Sequence, residues 1–124
     1  MPIRVLIADD HAVVRSGLRA LLTIDPEIEV LGEAADTDQA LSLAGELAPD
    51  LILLDISMPP DNGIVAARRL KAAHPQILLL ILTMHEDESL LREALSAGAS
   101  GYVINRADES HILQAIHAAS RGDI

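Results

Sequence analysis

The sequence predicts an α/β protein with a doubly wound, five-stranded parallel sheet and five helices. Short apolar runs alternate with segments of helical periodicity five times along 124 residues, which implies parallel strands joined by helices. Most of these runs are apolar throughout, as in strands buried on both faces. The second run instead alternates as IEVLG, which is typical of a strand at the side of a sheet. Together these features favour the strand order 2-1-3-4-5.

Each predicted element is bounded by turn or capping residues. The strands are predicted at residues 3–8, 28–32, 51–54, 77–82 and 101–104. The helices are predicted at residues 11–23, 36–47, 64–74, 86–97 and 108–121. Asp-Pro, Ala-Pro or a single proline ends each of the first three helices, and Gly98 is the expected left-handed residue after the fourth. Asp108 is the expected cap of the fifth.

The composition excludes several classes of protein. Half of the residues are hydrophobic, which argues against disorder, and the absence of cysteine excludes disulfides and thiol chemistry. A formal charge of −10 repels phosphate backbones, so we expect no nucleic-acid binding by this chain alone. The N-terminus lacks the features of a signal peptide, and no apolar run is long enough to cross a membrane, so we expect a cytoplasmic protein. Tyr102 is the only aromatic residue, which predicts an aliphatic core.

Polar residues follow the strands at the predicted reversal point of the sheet. Asp9 and Asp10 follow the first strand, Asp55 follows the third, Thr83 the fourth and Asn105 the fifth. Ligands of such sheets bind beyond the carboxyl ends of the strands at this point. Three carboxylates in contact need a counter-charge, and a hard cation such as Mg²⁺ supplies it. The sequence therefore predicts a Mg²⁺ site in which a carboxylate is also placed to attack a phosphoryl group.

Simpler interpretations exist for each residue taken alone. An Asp-Asp pair between a strand and a helix is often an N-cap with a solvated neighbour. Thr83 is compatible with a strand end or a helix cap, and Met58-Pro59-Pro60 with a stiff turn. It is the convergence of all of them at one crevice that favours a functional site.

Four motifs together resemble the receiver domain of bacterial response regulators. They are Ile7-Ala8-Asp9-Asp10-His11, Leu53-Leu54-Asp55-Ile56-Ser57-Met58-Pro59 with Gly63, Leu82-Thr83-Met84, and Ala97-Gly98-Ala99-Ser100-Gly101-Tyr102. The sequences of these motifs are similar to those of the family branch in which the receiver domain is followed by a LuxR-type helix-turn-helix output domain. The resemblance implies a flavodoxin-like receiver domain at residues 1–121. Residues 122–124 are then the expected start of a linker, and the output domain lies outside this chain.

The resemblance implies a phosphoacceptor and a set of metal ligands. Asp55 would take a phosphoryl group from a sensor histidine kinase. Asp10, Asp55 and the backbone carbonyl of Ser57 would bind Mg²⁺ directly, and Asp9 would bind it through water.

The resemblance also implies switch and tuning residues. Thr83 would bind a phosphoryl oxygen and move on activation, and Tyr102 would change rotamer with it. Ser57 and His85 would tune the lifetime of the phosphoaspartate.

One position departs from the family pattern. The family has a lysine three residues after the aromatic residue, where this chain has Asn105 followed by Arg106. Lys71 is the only lysine, and it lies in the third predicted helix. Asn105 donates hydrogen bonds without charge, and Arg106 is a candidate substitute for the lysine.

Three functions remain open at this point. The first is a phosphoacceptor that controls transcription through an output domain. The second is a phosphorylation-independent dimerisation or docking module. The third, a phosphatase or phosphotransferase, is disfavoured because Ser57 stands where such enzymes usually carry a second Asp, so we expect no enzyme. The resemblance also implies a weak homodimer through the first and fifth helices. In the fifth predicted helix, Ile112, Leu113 and Ile116 exceed the needs of one core face, which agrees with this expectation.

Overall fold

The computed structural model describes residues 2–56, 63–83, 88–104 and 109–122. Strands and helices alternate along these residues. The elements are β1 (Ile3–Ala8), α1 (Ala12–Ile24), β2 (Ile28–Ala34), α2 (Thr37–Leu47), β3 (Leu51–Asp55), α3 (Gly63–Ala73), β4 (Leu78–Thr83), α4 (Glu88–Ser96), β5 (Gly101–Ile104) and α5 (Glu109–Ser120). The predicted helix starts at Glu86 and Asp108 lie outside the described residues.

The five strands form one parallel sheet in the order β2-β1-β3-β4-β5, as predicted. In this order β1 and β3 are neighbours at the centre of the sheet, and the winding reverses between them. Val5 pairs with Leu51 and Ala8 with Leu54, so β1 and β3 end at the same edge. This edge positions the residues that follow both strands.

The edge strand β2 is two residues longer than predicted. Its pairing with β1 continues through Glu33 and Ala34, although glutamate and alanine are weak strand formers. The register shifts between Val5 and Leu6, which pair with Val30 and Gly32, so one residue of β2 is left over. Pairing in the sheet therefore overrides local propensity here.

The helices cover both faces of the sheet and create two aliphatic cores. One core joins alternate residues of β1, β3 and β4 to α2, α3 and α4, and the other joins the remaining strand residues to α1 and α5. Ile112 and Ile116 of α5 are buried in the second core. The interpretation of these two side chains as surplus apolar surface for a dimer was wrong, because packing on β4 and β5 uses them.

The aliphatic core was predicted correctly. The Tyr102 side chain does not contribute to it, because this residue remains 39% exposed. Gly98 has a φ of 106°, as expected of the residue that ends α4. Within the described residues, no helix combines the length and apolar character needed to cross a membrane.

Candidate functional site

Three carboxylates meet at the edge where β1 and β3 end. Asp9 and Asp10 directly follow β1, and Asp55 is the last residue of β3. Each of them, together with His11, offers one ligand atom, and these atoms all lie within 4.8 Å of one another. We call these four residues the acidic pocket. The predicted convergence of the three aspartates is confirmed, and His11 joins them.

Asp9 is held in place by both its backbone and its side chain. Its N–H donates to the Ala34 carbonyl oxygen at 3.0 Å, and its own carbonyl oxygen accepts from Arg15 Nη1 at 2.7 Å. Its Oδ1 accepts the backbone N–H of His11 at 2.8 Å. With 2% of its surface exposed, Asp9 is a buried carboxylate with a fixed orientation.

Asp10 carries a buried oxygen without a hydrogen-bond partner. Among the described residues nothing hydrogen-bonds to its Oδ1. His11 Nδ1 lies 2.9 Å from this oxygen, which is an ion-pair distance without hydrogen-bond geometry. The His11 side chain is 63% exposed, so it shields the pocket only in part. A buried carboxylate oxygen that accepts no hydrogen bond from the described residues is suited to bind a cation.

The N-cap interpretation of the Asp-Asp pair is wrong. The N-cap of α1 is His11, whose side chain makes no capping hydrogen bond. Neither aspartate is therefore used to start the helix, and both carboxylates remain with the pocket.

Gly63 fixes the backbone that follows Asp55. The N–H of Gly63, the first residue of α3, donates to the carbonyl oxygen of Ile56. A Cβ atom at position 63 would lie within 2.8 Å of the Asp55 carbonyl oxygen, and it would clash with the Cα of Ile56. On the other side of β3, the N–H of Ile56 donates to the Leu82 carbonyl oxygen at 3.0 Å. The glycine eight residues after Asp55 thus lets α3 begin directly against the end of β3.

Thr83 lies at the same edge as the acidic pocket, and Tyr102 lies further along the sheet. Asp55 pairs with Leu82, so Thr83 follows one residue later on the neighbouring strand, where it is buried. Tyr102 pairs with Ile81 and belongs to the edge strand, with β4 between it and Asp55. The predicted switch pair therefore spans two adjacent strands, of which only the first borders the pocket.

Four of the predicted site residues lie outside the described residues. They are Ser57, His85, Asn105 and Arg106, and their roles remain predictions. Lys71 is described: its Nζ donates to the Pro75 carbonyl oxygen at 3.1 Å, beyond the C-terminal end of α3. The single lysine is thus engaged at the opposite end of α3 from Gly63.

The donor set of the acidic pocket fits a hard divalent cation. Its three carboxylates provide the oxygen ligands that Mg²⁺ prefers, and such an ion would bind Asp10 Oδ1, which accepts no hydrogen bond from the part of the chain that the structure describes. Asp10 and Asp55 would hold Mg²⁺ directly, with Asp9 as a further, water-mediated contact. Mg²⁺ would neutralise the charge that accumulates when a phosphoryl group approaches a carboxylate.

Sequence reasoning missed Arg15 and its partner Glu33. Arg15 lies one turn into α1, so its proximity to the loop after β1 was open to inference from helical geometry. Glu33 accepts from Arg15 Nε at 3.2 Å and from Arg19 Nη1 at 3.0 Å. No local signal could have identified Glu33, because the pairing of β2 with β1 brings it to α1.

A second cluster was also missed, at the opposite edge of the sheet. His117 Nε2 lies 2.7 Å from Asp25 Oδ2, and His117 Nδ1 lies 3.6 Å from Glu27 Oε2. The hydrogen bond from His117 is the main cause that lowers the pKa of Asp25, and the backbone N–H of Glu27 adds to it. No spacing in the sequence indicates this cluster, because the fold joins residues 92 positions apart.

The chain is similar to proteins of one family along almost its whole length. Residues 5–117 match the family model described as "Response regulator receiver domain". The transcriptional regulatory protein DegU of Brevibacillus brevis is 37% identical over 120 residues, which are 97% of this chain and 51% of that protein.

Solved structures agree with this match. A LuxR-family two-component response regulator from Aurantimonas sp. has a TM-score of 0.95 at 36% identity, covering 99% of this chain and 88% of that one. The signal receiver domain of the response regulator NarL from Mycobacterium tuberculosis has a TM-score of 0.91 at 29% identity, covering 98% of both chains.

The chain spans about half the length of the curated relatives that it matches. The part of this chain that matches them nearly coincides with residues 5–117, which match the receiver family model. The acidic pocket, the parallel sheet and these similarities lead to one conclusion: the chain belongs to the response regulator receiver domain family of two-component systems, with similarity to its LuxR branch.

Proposed function

We propose that Asp55 accepts a phosphoryl group from a phosphohistidine of a sensor histidine kinase, with Mg²⁺ in the acidic pocket, and thereby controls a DNA-binding output domain. The observation that carries this proposal is the convergence of Asp9, Asp10 and Asp55 within 4.8 Å, together with a buried oxygen of Asp10 that no described residue hydrogen-bonds. A cluster of this kind attracts a cation at the place where Asp55 presents its carboxylate.

The transfer requires little of the protein besides positioning. A carboxylate oxygen of Asp55 attacks phosphorus, a P–O bond forms, and the P–N bond to the kinase imidazole breaks. The imidazole keeps the bonding electron pair and regains a proton, and Asp55 becomes an acyl phosphate. Gly63 and the Leu82 carbonyl hold the backbone after Asp55, which limits the motion of the nucleophile.

The remaining ligands and switch residues follow the family. In this proposal Asp10 and Asp55 bind Mg²⁺, Asp9 contacts it through water, and the Ser57 carbonyl completes the set. Thr83 then moves towards the phosphoryl group. The ring of Tyr102, which is 39% exposed and belongs to neither aliphatic core, changes rotamer with it.

The output of the proposed signal lies outside this chain. DegU is named a transcriptional regulatory protein, and the chain covers half of it. The charge of −10 supports a division of labour in which another domain contacts DNA and this domain does not. A cytoplasmic location and the absence of enzymatic turnover belong to the same proposal.

Modification of Asp55 by a small phosphodonor tests the proposal. The protein is treated with acetyl phosphate with and without Mg²⁺, and its intact mass is measured. We expect one added phosphoryl group in the presence of Mg²⁺ only, lost in Asp55→Asn and kept in Asp38→Asn, which removes an exposed carboxylate of α2. No added mass in the wild type, or an equal loss in both variants, would overturn the proposal.

The alternative is a docking module that does not depend on phosphorylation. The sequence favours it at one point, since Asn105 replaces the lysine and Lys71 is engaged at the far end of α3. A charge-assisted contact of the kind the lysine provides is worth about 1.5–3 kcal/mol. Without it, phosphorylation of Asp55 should still occur, but the response of Thr83 and Tyr102 should be weak.

The variant Asn105→Lys separates the two functions. The ring resonances of Tyr102, which overlap with no other aromatic signal, report its rotamer in NMR spectra with and without beryllofluoride. We expect a partial shift in the wild type and a larger one in Asn105→Lys. A full shift in the wild type, unchanged in the variant, would show that another group replaces the lysine.

We also propose a weak homodimer through α1 and α5. Val13 and Ile24 of α1 support it, because both are largely exposed apolar side chains. Concentration-dependent sedimentation that Val13→Asp abolishes is the expected result. A monomer at high concentration would overturn the dimer.

A further inference from the structure

We propose that Arg15 is a positioning residue of the acidic pocket, which holds the Asp9–Asp10 peptide where the pocket can bind a divalent cation. This inference rests on the proposed function, since it assumes that the pocket binds such an ion. Arg15 touches no expected phosphoryl or metal ligand atom in the described structure. Its contact is with the backbone that carries two of the ligands.

The guanidinium of Arg15 is fixed at both ends. Nη1 donates to the Asp9 carbonyl oxygen at 2.7 Å, and Nε donates to Glu33 Oε1 at 3.2 Å. Glu33 is held in turn by Arg19, whose Nη1 reaches Oε2 at 3.0 Å. The Arg15 side chain is 19% exposed, against 47% for Arg19. Arg15 is thus the shielded member of this network, and its planar group is directed by a carboxylate.

The carbonyl that Arg15 holds belongs to the peptide between Asp9 and Asp10. Its orientation therefore sets the direction from which both carboxylates leave the backbone. Only three residues separate β1 from α1, and α1 has no side-chain cap to fix its start. Arg15 compensates for this, because it ties the first turns of α1 to the loop that carries the ligands. Groups that orient metal ligands in this way typically change metal affinity when they are removed.

A purely electrostatic role and a positioning role of Arg15 predict opposite changes in Mg²⁺ affinity when its side chain is removed. If Arg15 acted only as a nearby positive charge, its loss would make the pocket more negative and would strengthen Mg²⁺ binding. If Arg15 positions the Asp9–Asp10 peptide, its loss weakens Mg²⁺ binding despite the gain in negative charge.

The matched variant is Arg19→Ala. It removes the same charge and also one bond to Glu33, but it leaves the Asp9 carbonyl bonded. Mg²⁺ affinity is measured by calorimetry for the wild type, Arg15→Ala and Arg19→Ala. We expect Arg15→Ala to bind Mg²⁺ about tenfold more weakly than Arg19→Ala. The amide ¹⁵N shift of Asp10, which reports the hydrogen bond to the preceding carbonyl, should move in Arg15→Ala and stay in Arg19→Ala.

Equal Mg²⁺ affinity in the two variants, or tighter binding by Arg15→Ala, would overturn the positioning role and leave the proposed function standing. Absence of Mg²⁺ binding in the wild type would overturn both. Should Arg15→Ala fail to fold, Arg15→Lys against Arg19→Lys decides the question at constant charge. Weaker Mg²⁺ binding by Arg15→Lys alone supports the proposal, and equal binding refutes it.

Discussion

Two clusters of carboxylate and histidine side chains lie at opposite edges of the sheet, one at each end of its parallel strands. They differ in the number of carboxylates for each histidine. The acidic pocket gathers three aspartates and one exposed histidine beyond the carboxyl ends of β1 and β3. The second cluster, which we call the α5 latch, consists of Asp25, Glu27 and His117 and joins the end of α1 to the last turn of α5. Both clusters combine carboxylates with one histidine, but in the first a buried carboxylate oxygen accepts no hydrogen bond from the described residues.

The α5 latch is satisfied internally. Asp25 Oδ1 accepts the Glu27 N–H at 2.9 Å, and Oδ2 accepts from His117 at 2.7 Å. Both oxygens of the carboxylate are therefore used, which is why the pKa of Asp25 is lowered. In the acidic pocket, by contrast, the buried Oδ1 of Asp10 accepts no hydrogen bond from the described residues. A carboxylate cluster therefore stabilises a fold when hydrogen bonds saturate its oxygens, and it is suited to bind a cation when they do not.

The largest expected difference between the clusters is in the effect of Mg²⁺. Mg²⁺ at one hundred times its Kd should stabilise the wild type by about 2.7 kcal/mol. Asp10→Ala should lose this gain, and Asp25→Asn should keep it. In EDTA the two variants should also change the free energy of unfolding in opposite directions. Asp10→Ala should raise it because repulsion within the pocket is relieved, while Asp25→Asn should lower it because a hydrogen bond is lost. Thermal unfolding with EDTA or Mg²⁺ measures both effects, and an equal Mg²⁺ response in the two variants would refute the distinction.

Gly63→Ala should damage the acidic pocket through the backbone. The added Cβ would crowd the Asp55 carbonyl and Ile56, and overpacking of this kind costs about 1–3 kcal/mol. We expect weaker Mg²⁺ binding together with a lower free energy of unfolding. Gly17→Ala is the control, because a Cβ within α1 at that position meets nothing within 4 Å. It should stabilise the protein by up to about 1 kcal/mol. Chemical denaturation and calorimetry of both variants provide the measurement.

The α5 latch should contribute a smaller, pH-dependent stabilisation. Asp25→Asn should cost about 1.5 kcal/mol at pH 7, since the bond from His117 loses its charged acceptor. Because the folded-state pKa of Asp25 lies below its ordinary value of 3.8, this contribution is complete above that value and is lost as the pH falls through the folded-state pKa. Denaturant unfolding of the wild type and Asp25→Asn, from pH 7 down to a pH below 3.8, measures how the difference in their free energies of unfolding changes.

The control for the α5 latch is the exposed ion pair between Asp38 and Arg69, in which Arg69 Nη2 lies 3.1 Å from Asp38 Oδ1. Asp38→Asn should change the stability by less than about 0.5 kcal/mol at any pH. A constant difference between wild type and Asp25→Asn over the whole acid range would contradict the assignment of the latch.

Most of the fold was predictable because the signals that determine it are local. The apolar runs indicate the strands, and the polar alternation in β2 indicates its place at the side of the sheet. Caps and breakers were equally informative: Asp36 accepts the Gln39 N–H at 2.8 Å at the start of α2. The boundary of β2 that shifted has a tertiary cause, since pairing with β1 extends the strand to Ala34.

The site was predictable to the extent that it follows strand ends. Asp9, Asp10 and Asp55 could be placed together because parallel strands end at one edge, and Thr83 could be placed beside them by the same argument. Arg15 was not predicted, because its role depends on where Glu33 emerges from β2. The burial of Ile112 and Ile116 was also not predicted, since their helical spacing fits a core and a surface equally well.

Local patterns in the sequence account for the order of elements, the strand order, the aliphatic core and the aspartates at the reversal point, because periodicity and strand ends are properties of neighbouring residues. Which carboxylates are saturated with hydrogen bonds depends on tertiary contacts. His117 reaches Asp25 across 92 positions, and Arg15 reaches Glu33 through the pairing of β1 with β2. Whether a carboxylate stabilises the fold or is available to bind a metal ion depends on the hydrogen-bond partners that packing brings to it. The packing of distant segments has no local signal in the sequence.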